Sequence, residues 1–411
     1  MSVLLKITCV IVYRRFCLNN YNRMNYILRF FALTAFAGLA ACSTPASFVD
    51  EALETCTTKV VRTQTRLGTD YQQSPRNMAP GDSLWHQTAV CQENWTMGFW
   101  PGILWYAYEA SGNETLLAPA RGYTEALRFI AGQPAYDHDI GFIMFPSFGN
   151  GYRLTQDPSY KEAVLATAGR LAELFNPAVG TILSWPREVP NFGGHNTIMD
   201  NMLNLETLLW AAENGGDPAW REIAIMHADT TLRYNFRPDG TSYHVAVYDP
   251  ETGAHKYSCT HQGYADDSLW ARGQAWGIYG FTMVYRFTRE PRFLAFAQRI
   301  ADVYLSKLPE DKVPYWDFCD PAIPDAPRDA SAAAVVASAL LELSTYTDGK
   351  YRADAEAMLR SLWENYRAPE NVEAFLLHST GHHPAGSEID YSIVYADYYF
   401  LEALLRLKNL R

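Results

Sequence analysis

The sequence predicts an all-α fold, an (α/α)6 barrel of about twelve helices in six hairpins. Three observations carry that prediction. Apolar residues recur at helical spacing through most of the chain beyond residue 42. Adjacent helices repeat one grammar: an aromatic-rich helix, a Gly/Asp/Asn/Pro turn, then a more polar amphipathic helix. Long irregular segments rich in Trp, His, Asp and Gly interrupt the pairs, as expected of a closed ring whose loops form a single cleft.

The elements follow in chain order. Residues 1–41 hold Lys6, Arg14, Arg15, Arg23 and Arg29 and no Asp or Glu, and from Ile27 an apolar run reaches Leu39-Ala40-Ala41-Cys42. A basic flank, a short apolar core and small residues before a cut describe a secretory signal. The run is shorter than the roughly 20 residues a spanning helix needs. The Leu-Ala-Ala-Cys ending is similar to the lipobox of bacterial lipoproteins, which implies acylation of Cys42, export to the periplasm and a lipid anchor as the sole membrane contact. Met24 directly precedes a well-formed signal and is a candidate true start. Loss of 1–41 removes five positive charges and takes the net charge from −11 to −16.

Residues 42–411 read as one domain. Helices are expected near 47–66, 97–112, 116–132, 140–154, 158–174, 198–213, 218–233, 268–288, 292–307, 329–346, 350–366 and 391–408. The hairpin turns are plain in LWYAYEASGNETLLAPA, LLWAAENGGDPAWREIA, MVYRFTREPRFLAFA and LLELSTYTDGKYRADA, where Gly stops one helix or Pro starts the next. The long segments are 67–96, 175–197, 234–267, 308–328 and 367–390. An open helical solenoid is the alternative, and those segments favour closure.

Composition narrows the function. A net charge of −11 argues against a nucleic-acid partner, which needs a basic surface. The chain has 14% aromatic residues, enough to pack a core or line a sugar cleft. Of seven cysteines, Cys56, Cys91, Cys259 and Cys319 remain after the leader and Cys42, with no CxxC spacing for zinc. Disulfides are permitted in an exported protein, and four cysteines allow three connectivities. No nucleotide-binding glycine loop, GxSxG elbow or HExxH occurs, so carboxylate chemistry without metal or cofactor is expected.

The candidate residues cluster in or beside the loops. Tyr136-Asp137-His138-Asp139 puts two carboxylates and an imidazole just before an apolar helix, where either Asp could be a simple cap. Asp200 lies in the apolar run IMDNMLNL, where a carboxylate loses solvation and must be paired or kept for function; Asn204 is one turn on. A third cluster runs from Tyr243-His244 through Thr260-His261-Gln262-Gly263 to Trp270-Ala271-Arg272-Gly273-Gln274-Ala275-Trp276. Arg272 and Trp276 are four apart on one helical face, suited either to an acidic sugar ring or to packing on each other.

These blocks resemble glycoside hydrolase family 88, the unsaturated glucuronyl hydrolases, over nearly the whole chain beyond Cys42. The matching segments are Trp95-Thr96-Met97-Gly98-Phe99-Trp100-Pro101-Gly102 with Leu104-Trp105, His138-Asp139-Ile140-Gly141-Phe142, Ile198-Met199-Asp200 with Asn204-Leu205, and Thr260-His261-Gln262-Gly263. They continue with the RGQAW block from Arg272, Tyr315-Trp316-Asp317-Phe318, Arg328-Asp329-Ala330-Ser331-Ala332 and the stretch from Asp397 to Leu405. The resemblance implies an (α/α)6 barrel acting on lyase-generated oligosaccharides with a C4=C5 double bond in the terminal uronate. The bond is protonated at C4, water adds at C5, and the resulting hemiketal collapses, opens the ring and releases the rest of the chain.

Carried over by position, Asp200 takes the general acid/base role, which calls for a raised pKa. Asp139 matches the second essential carboxyl. His244, Gln262, Arg272 and Trp276 match substrate contacts, and Trp95 and Trp185 match cleft walls. Two departures stand out: Asn94 replaces an Asp of some relatives, and His195-Asn196-Thr197 replaces an Arg-bearing segment near the leaving-sugar side. The alternatives are hydration of unsaturated galacturonyl-rhamnose from pectin, a non-catalytic glycan-binding lipoprotein, and an ordinary inverting glycosidase on a saturated substrate.

Overall fold

The computed structural model describes residues 47–410, so the basic leader, Met24 and Cys42 lie outside the described residues. From Phe48 the chain forms one compact unit in which helices alternate between an outer and an inner ring. The outer helices are Phe48–Leu67, Leu117–Ala126, Pro158–Ala172, Ala219–Tyr234, Pro291–Lys307 and Arg352–Asn365. The inner ones are Phe99–Ser111, the broken pair Ile140–Met144 and Asn150–Thr155, Asn201–Glu213, Ala271–Thr288, Ala330–Thr345 and Val394–Asn409. Each inner helix packs on the next, and Val394–Asn409 returns to Phe99–Ser111 to close the ring. All twelve expected helical stretches are present.

Sequence decides which ring a helix joins. Ala330–Thr345 reads ASAAAVVASALLELST and is buried almost all round, its small residues letting two neighbours approach closely. Pro291–Lys307 buries only Phe293, Phe296, Ala297, Ile300, Ala301 and Tyr304, the single apolar stripe of a surface helix. The hairpin turns behave as their residues dictate. Gly112 ends Phe99–Ser111 in the left-handed region at φ 65°, and Asp157 caps Pro158–Ala172 by accepting the Ser159 N–H at 3.0 Å.

The loops hold what helical periodicity does not announce. Gln73–Met78 pairs with His86–Ala89 and with Ser392–Ile393; Val245–Tyr248 pairs with His195–Ile198 and with His255–Cys259; Phe175–Asn176 pairs with Thr181–Ile182. All are antiparallel. The four remaining cysteines are free thiols.

Because outer and inner helices alternate as antiparallel neighbours, the inner helices run in one direction. Their N-termini, and the small sheets, meet at one mouth of the barrel. At the other mouth a cavity of about 500 Å³ is lined by Tyr279, Arg286, Glu402 and Arg406. Its charges neutralise one another: Arg286 and Arg406 pair with Glu342 at 2.7 and 2.8 Å, and the Tyr279 hydroxyl donates to Glu402 at 3.1 Å. That end is a satisfied polar network.

Candidate active site

Asp139 and Asp200 occupy equivalent places, each at the N-cap of an inner helix, Ile140–Met144 and Asn201–Glu213. Neither carboxyl makes a capping hydrogen bond. Asp329, at the same position of Ala330–Thr345, shows the ordinary use of such a residue: it accepts the Ser331 and Ala332 N–H groups at 3.1 and 3.4 Å. The two carboxyls left uncommitted are the two the sequence singles out, although Asp200 sits at the start of its helix and not within it. Gly141 and Gly98 permit this arrangement. A side chain on Gly141 would run into Asn204, and one on Gly98 into the backbone carbonyls of Phe142 and Ile143.

An imidazole faces each carboxyl. His244 Nδ1 accepts the backbone N–H groups of His261 and Gln262, both at 3.2 Å, so the ring hydrogen lies on Nε2. That nitrogen is 3.4 Å from Asp200 Oδ2. His138 Nδ1 lies 2.8 Å from the Asn204 amide nitrogen, and its Nε2 is 3.4 Å from Asp139 Oδ1. Burial pulls the His138 pKa down to about 4, so this ring is neutral in ordinary buffers. The contacts at 3.4 Å are close without hydrogen-bond alignment; Asp200 Oδ2, His244 Nε2 and His138 Nε2 are buried with no hydrogen-bond partner among the described residues. Uncommitted buried polar atoms of this kind mark a site built for something else.

The carboxyls are driven apart in proton affinity. Asp139 is raised well above the usual range, first by burial and then by the negative charges of Asp137 and Asp200, with Arg187 opposing. For Asp200 burial acts upward, but His244 first and Arg272 with it outweigh it and hold the carboxyl below the usual range. The expectation of a raised Asp200 is therefore corrected: the raised member is Asp139, because two carboxylates press on it against Arg187 alone, while His244 and Arg272 favour the ionised form of Asp200. Two buried carboxyls so placed have opposed proton affinities, Asp139 the higher and Asp200 the lower.

Rings enclose the pair. Trp185 lies 6.4, 5.9 and 5.1 Å from the rings of His138, His244 and His261. His244 packs on Trp270 at 4.5 Å, the Arg272 guanidinium sits over Trp270 and Tyr395, and Tyr395 meets Trp95 at 4.8 Å. Trp95, Asp139, Trp185, Asp200, His244, Gln262 and Arg272 thus come together around one cleft, from segments spread over the chain.

Two of the expected substrate contacts are buried in the free protein. Trp276 is fully buried against Phe142 and Tyr399 at 5.5 and 5.6 Å, under the floor of the cleft. Arg272 is 1% exposed and pairs with Asp329 at 2.8 Å while donating to the carbonyls of Thr380 and Gly381. It ties the loop over the cleft to the barrel and supplies positive charge to Asp200. Gln262 is half-buried and joins the same loop, its amide donating to the Gly381 carbonyl at 3.3 Å.

The two departures also have structural readings. Asn94 accepts the Thr96 N–H at 3.2 Å and donates to Thr88 at 2.8 Å, a donation an ionised Asp could not make. His195-Asn196-Thr197 is a buried strand, so it is not an open wall on the leaving-sugar side. Asn196 instead clamps Trp185, accepting its N–H at 2.9 Å and donating to its carbonyl at 3.0 Å. Sequence reasoning missed the roles of His138, Trp270, Tyr395 and the Asp329–Arg272 pair; His138 and Asp329 stood inside the recognised blocks, but nothing local in the sequence announces what they touch.

Comparison with known proteins gives a consistent result. The profile of Glycosyl Hydrolase Family 88 matches residues 59–406. The chain is 45% identical over 349 residues to an unsaturated glucuronyl hydrolase of Formosa agariphila, covering 82% of this chain and 85% of that one. Among solved structures, an unsaturated glucuronyl hydrolase specific for heparin superposes with a TM-score of 0.82 at 40% identity, covering 88% of this chain and 97% of the other. The unsaturated glucuronyl hydrolase of Bacillus sp. GL1, described as responsible for glycosaminoglycan degradation, gives 0.83 at 34% identity with the same coverage.

Proposed function

The chain belongs to glycoside hydrolase family 88 and is an unsaturated glucuronyl hydrolase, and we propose that Asp200 and Asp139 divide its chemistry between them. The substrate is a lyase-generated oligosaccharide of glycosaminoglycan type, whose terminal uronate carries a C4=C5 double bond beside the ring oxygen. Protonation at C4 puts oxocarbenium character on C5, which the ring oxygen stabilises. Water adds there, and the hemiketal collapses with ring opening and release of the rest of the chain.

The observation that supports this division is the opposed proton affinity of two uncommitted carboxyls in one aromatic cleft. In the free enzyme Asp139 is the member of the pair that holds a proton more readily. Seating the sugar brings its own carboxylate and displaces water from Asp200, and both effects raise the proton affinity of Asp200. Asp200 then gives a proton to C4 and, as carboxylate, takes one from the incoming water. Asp139 holds the sugar hydroxyls. The Nε2–H of His244 steadies Asp200 while it is ionised, and Trp185 and Trp95 flank the ring.

Turnover in heavy water tests the route. One deuterium is expected at C4 of the released uronate, and its absence, with label from water oxygen at the anomeric carbon, would replace hydration by direct glycosidic attack. A second element of the proposal concerns location: the enzyme is exported and held at a bacterial membrane by a lipid on Cys42, a reading supported by the leader pattern alone. Cys42→Ala is expected to move the protein from the membrane to the soluble fraction, and continued membrane association of that variant would contradict it.

A further inference from the structure

Asp137 lies two residues before Asp139 and outside the recognised His138–Phe142 block, and its carboxyl is buried at 5% exposure. A buried carboxylate is costly without partners, and this one has two. Oδ1 accepts the backbone N–H of Asp139 at 2.9 Å, and Oδ2 pairs with the Arg187 guanidinium at 2.9 Å. Arg187 comes from the short 3-10 turn Pro186–Glu188 directly after Trp185, lies with its centre 4.3 Å from the Tyr136 ring, and is 43% exposed. One oxygen of Asp137 therefore grips the backbone that carries Asp139, and the other is tied to a cation at the rim.

We propose that Asp137 and Arg187 are positioning residues for Asp139: Asp137 fixes the turn that aims its carboxyl, and the balance of the two charges sets the pH up to which Asp139 keeps its proton. The groups facing Asp139 are His138 from its own turn, Asp200 from the start of Asn201–Glu213, Asp137, and Arg187 from the Pro186–Glu188 turn. His138 is neutral and Asp200 is required for the reaction, which leaves Asp137 and Arg187 as the adjustable charges. Asp137 favours the protonated form of Asp139 by like-charge repulsion. Arg187 favours the ionised form, directly and by screening Asp137. The inference rests on the reading of Asp139 as one of the catalytic pair.

The two substitutions should act in opposite directions, which damage to the turn would not do. Asp137→Asn keeps an oxygen for the Asp139 N–H but removes the charge and leaves Arg187 unpaired, so Asp139 should release its proton at lower pH. Arg187→Gln leaves Asp137 uncompensated, so the proton should persist to higher pH. Each shift is expected to be about 1 pH unit, the scale of one neighbouring charge at an effective dielectric near 20. Arg187→Lys should return the titration toward wild type, and the double variant should fall between the singles.

The titration is read in two ways on the protein beginning at Ser43: by the carboxyl carbon resonance of 13C-labelled Asp, assigned by its loss in Asp139→Asn, and by the alkaline limb of kcat/KM. Opposite shifts in both readouts are the expected result. Shifts of the same sign, or no shift in a folded Arg187→Gln protein, would overturn the proposal; Arg187 is largely outside the core, so this variant stays informative should Asp137→Asn fail to fold. Opposite resonance shifts with an unmoved alkaline limb would support the electrostatic proposal and overturn the catalytic reading of Asp139 instead.

Discussion

At the scale of single residues, the chemistry rests on two carboxyls made unequal by their neighbours. Asp200→Asn is expected to lower kcat by about 10²–10⁴, the range of a lost general acid/base, with little change in substrate affinity; isothermal titration of that variant with an unsaturated disaccharide would show binding without turnover. Asp139→Asn should be more thermostable than wild type at pH 8. A carboxyl whose folded pKa lies above its unfolded one costs stability as pH rises from the unfolded value through the folded one, and an amide escapes that cost. The advantage should vanish near pH 4, and thermal melts at the two pH values check it. Both Asp residues are legible in the sequence because a carboxylate beside an apolar run demands a reason. Their inequality is not, since it comes largely from His244 and Arg272 acting on Asp200, and both are distant in sequence. The burial of Trp276 and Arg272 is likewise not legible, since their spacing of four shows only that they share a helical face.

At the scale of elements, helix N-termini position the pair, and the loops hold the walls. Gly141→Ala would push its methyl into Asn204, which also holds His138, and should cost about 1–3 kcal/mol of stability as an overpacking change while lowering kcat. Asp397, at the start of Val394–Asn409, accepts the backbone N–H groups of Phe375 and Leu376 at 2.7 and 3.1 Å and so fastens the 367–390 loop to the inner ring. Asp397→Ala would orphan two buried donors and should cost about 2–4 kcal/mol, measurable by urea unfolding. The helices were readable because each carries its period and its turn residues locally. The strands were not, because pairs such as Asn77 with Ile393 depend on a partner more than 300 residues away and are too short to show alternation.

At the scale of the molecule, an acidic protein binds an acidic sugar. The chain carries a net charge of −11, so long-range attraction is absent and affinity must come from donors inside the cleft. The barrel helps, because the N-termini of its inner helices, with their partial positive charge, converge on that mouth. Raising salt from about 0.02 to 0.2 M, which shortens the screening length, should leave KM unchanged or slightly lower; a steep rise would mean that exposed cations steer the substrate. The barrel itself was legible from the repeated hairpins, whereas the shape of the leaving-sugar side depends on loops folded into small sheets. The central claim is tested most directly by following the ultraviolet absorbance of the conjugated ene-carboxylate in unsaturated disaccharides of chondroitin, hyaluronan and heparan type. The protein beginning at Ser43 should abolish that absorbance on at least one of them, and Asp200→Asn should leave it standing. Persistence of the absorbance with the wild-type chain on all of them, or its loss at an undiminished rate with Asp200→Asn, would contradict the account.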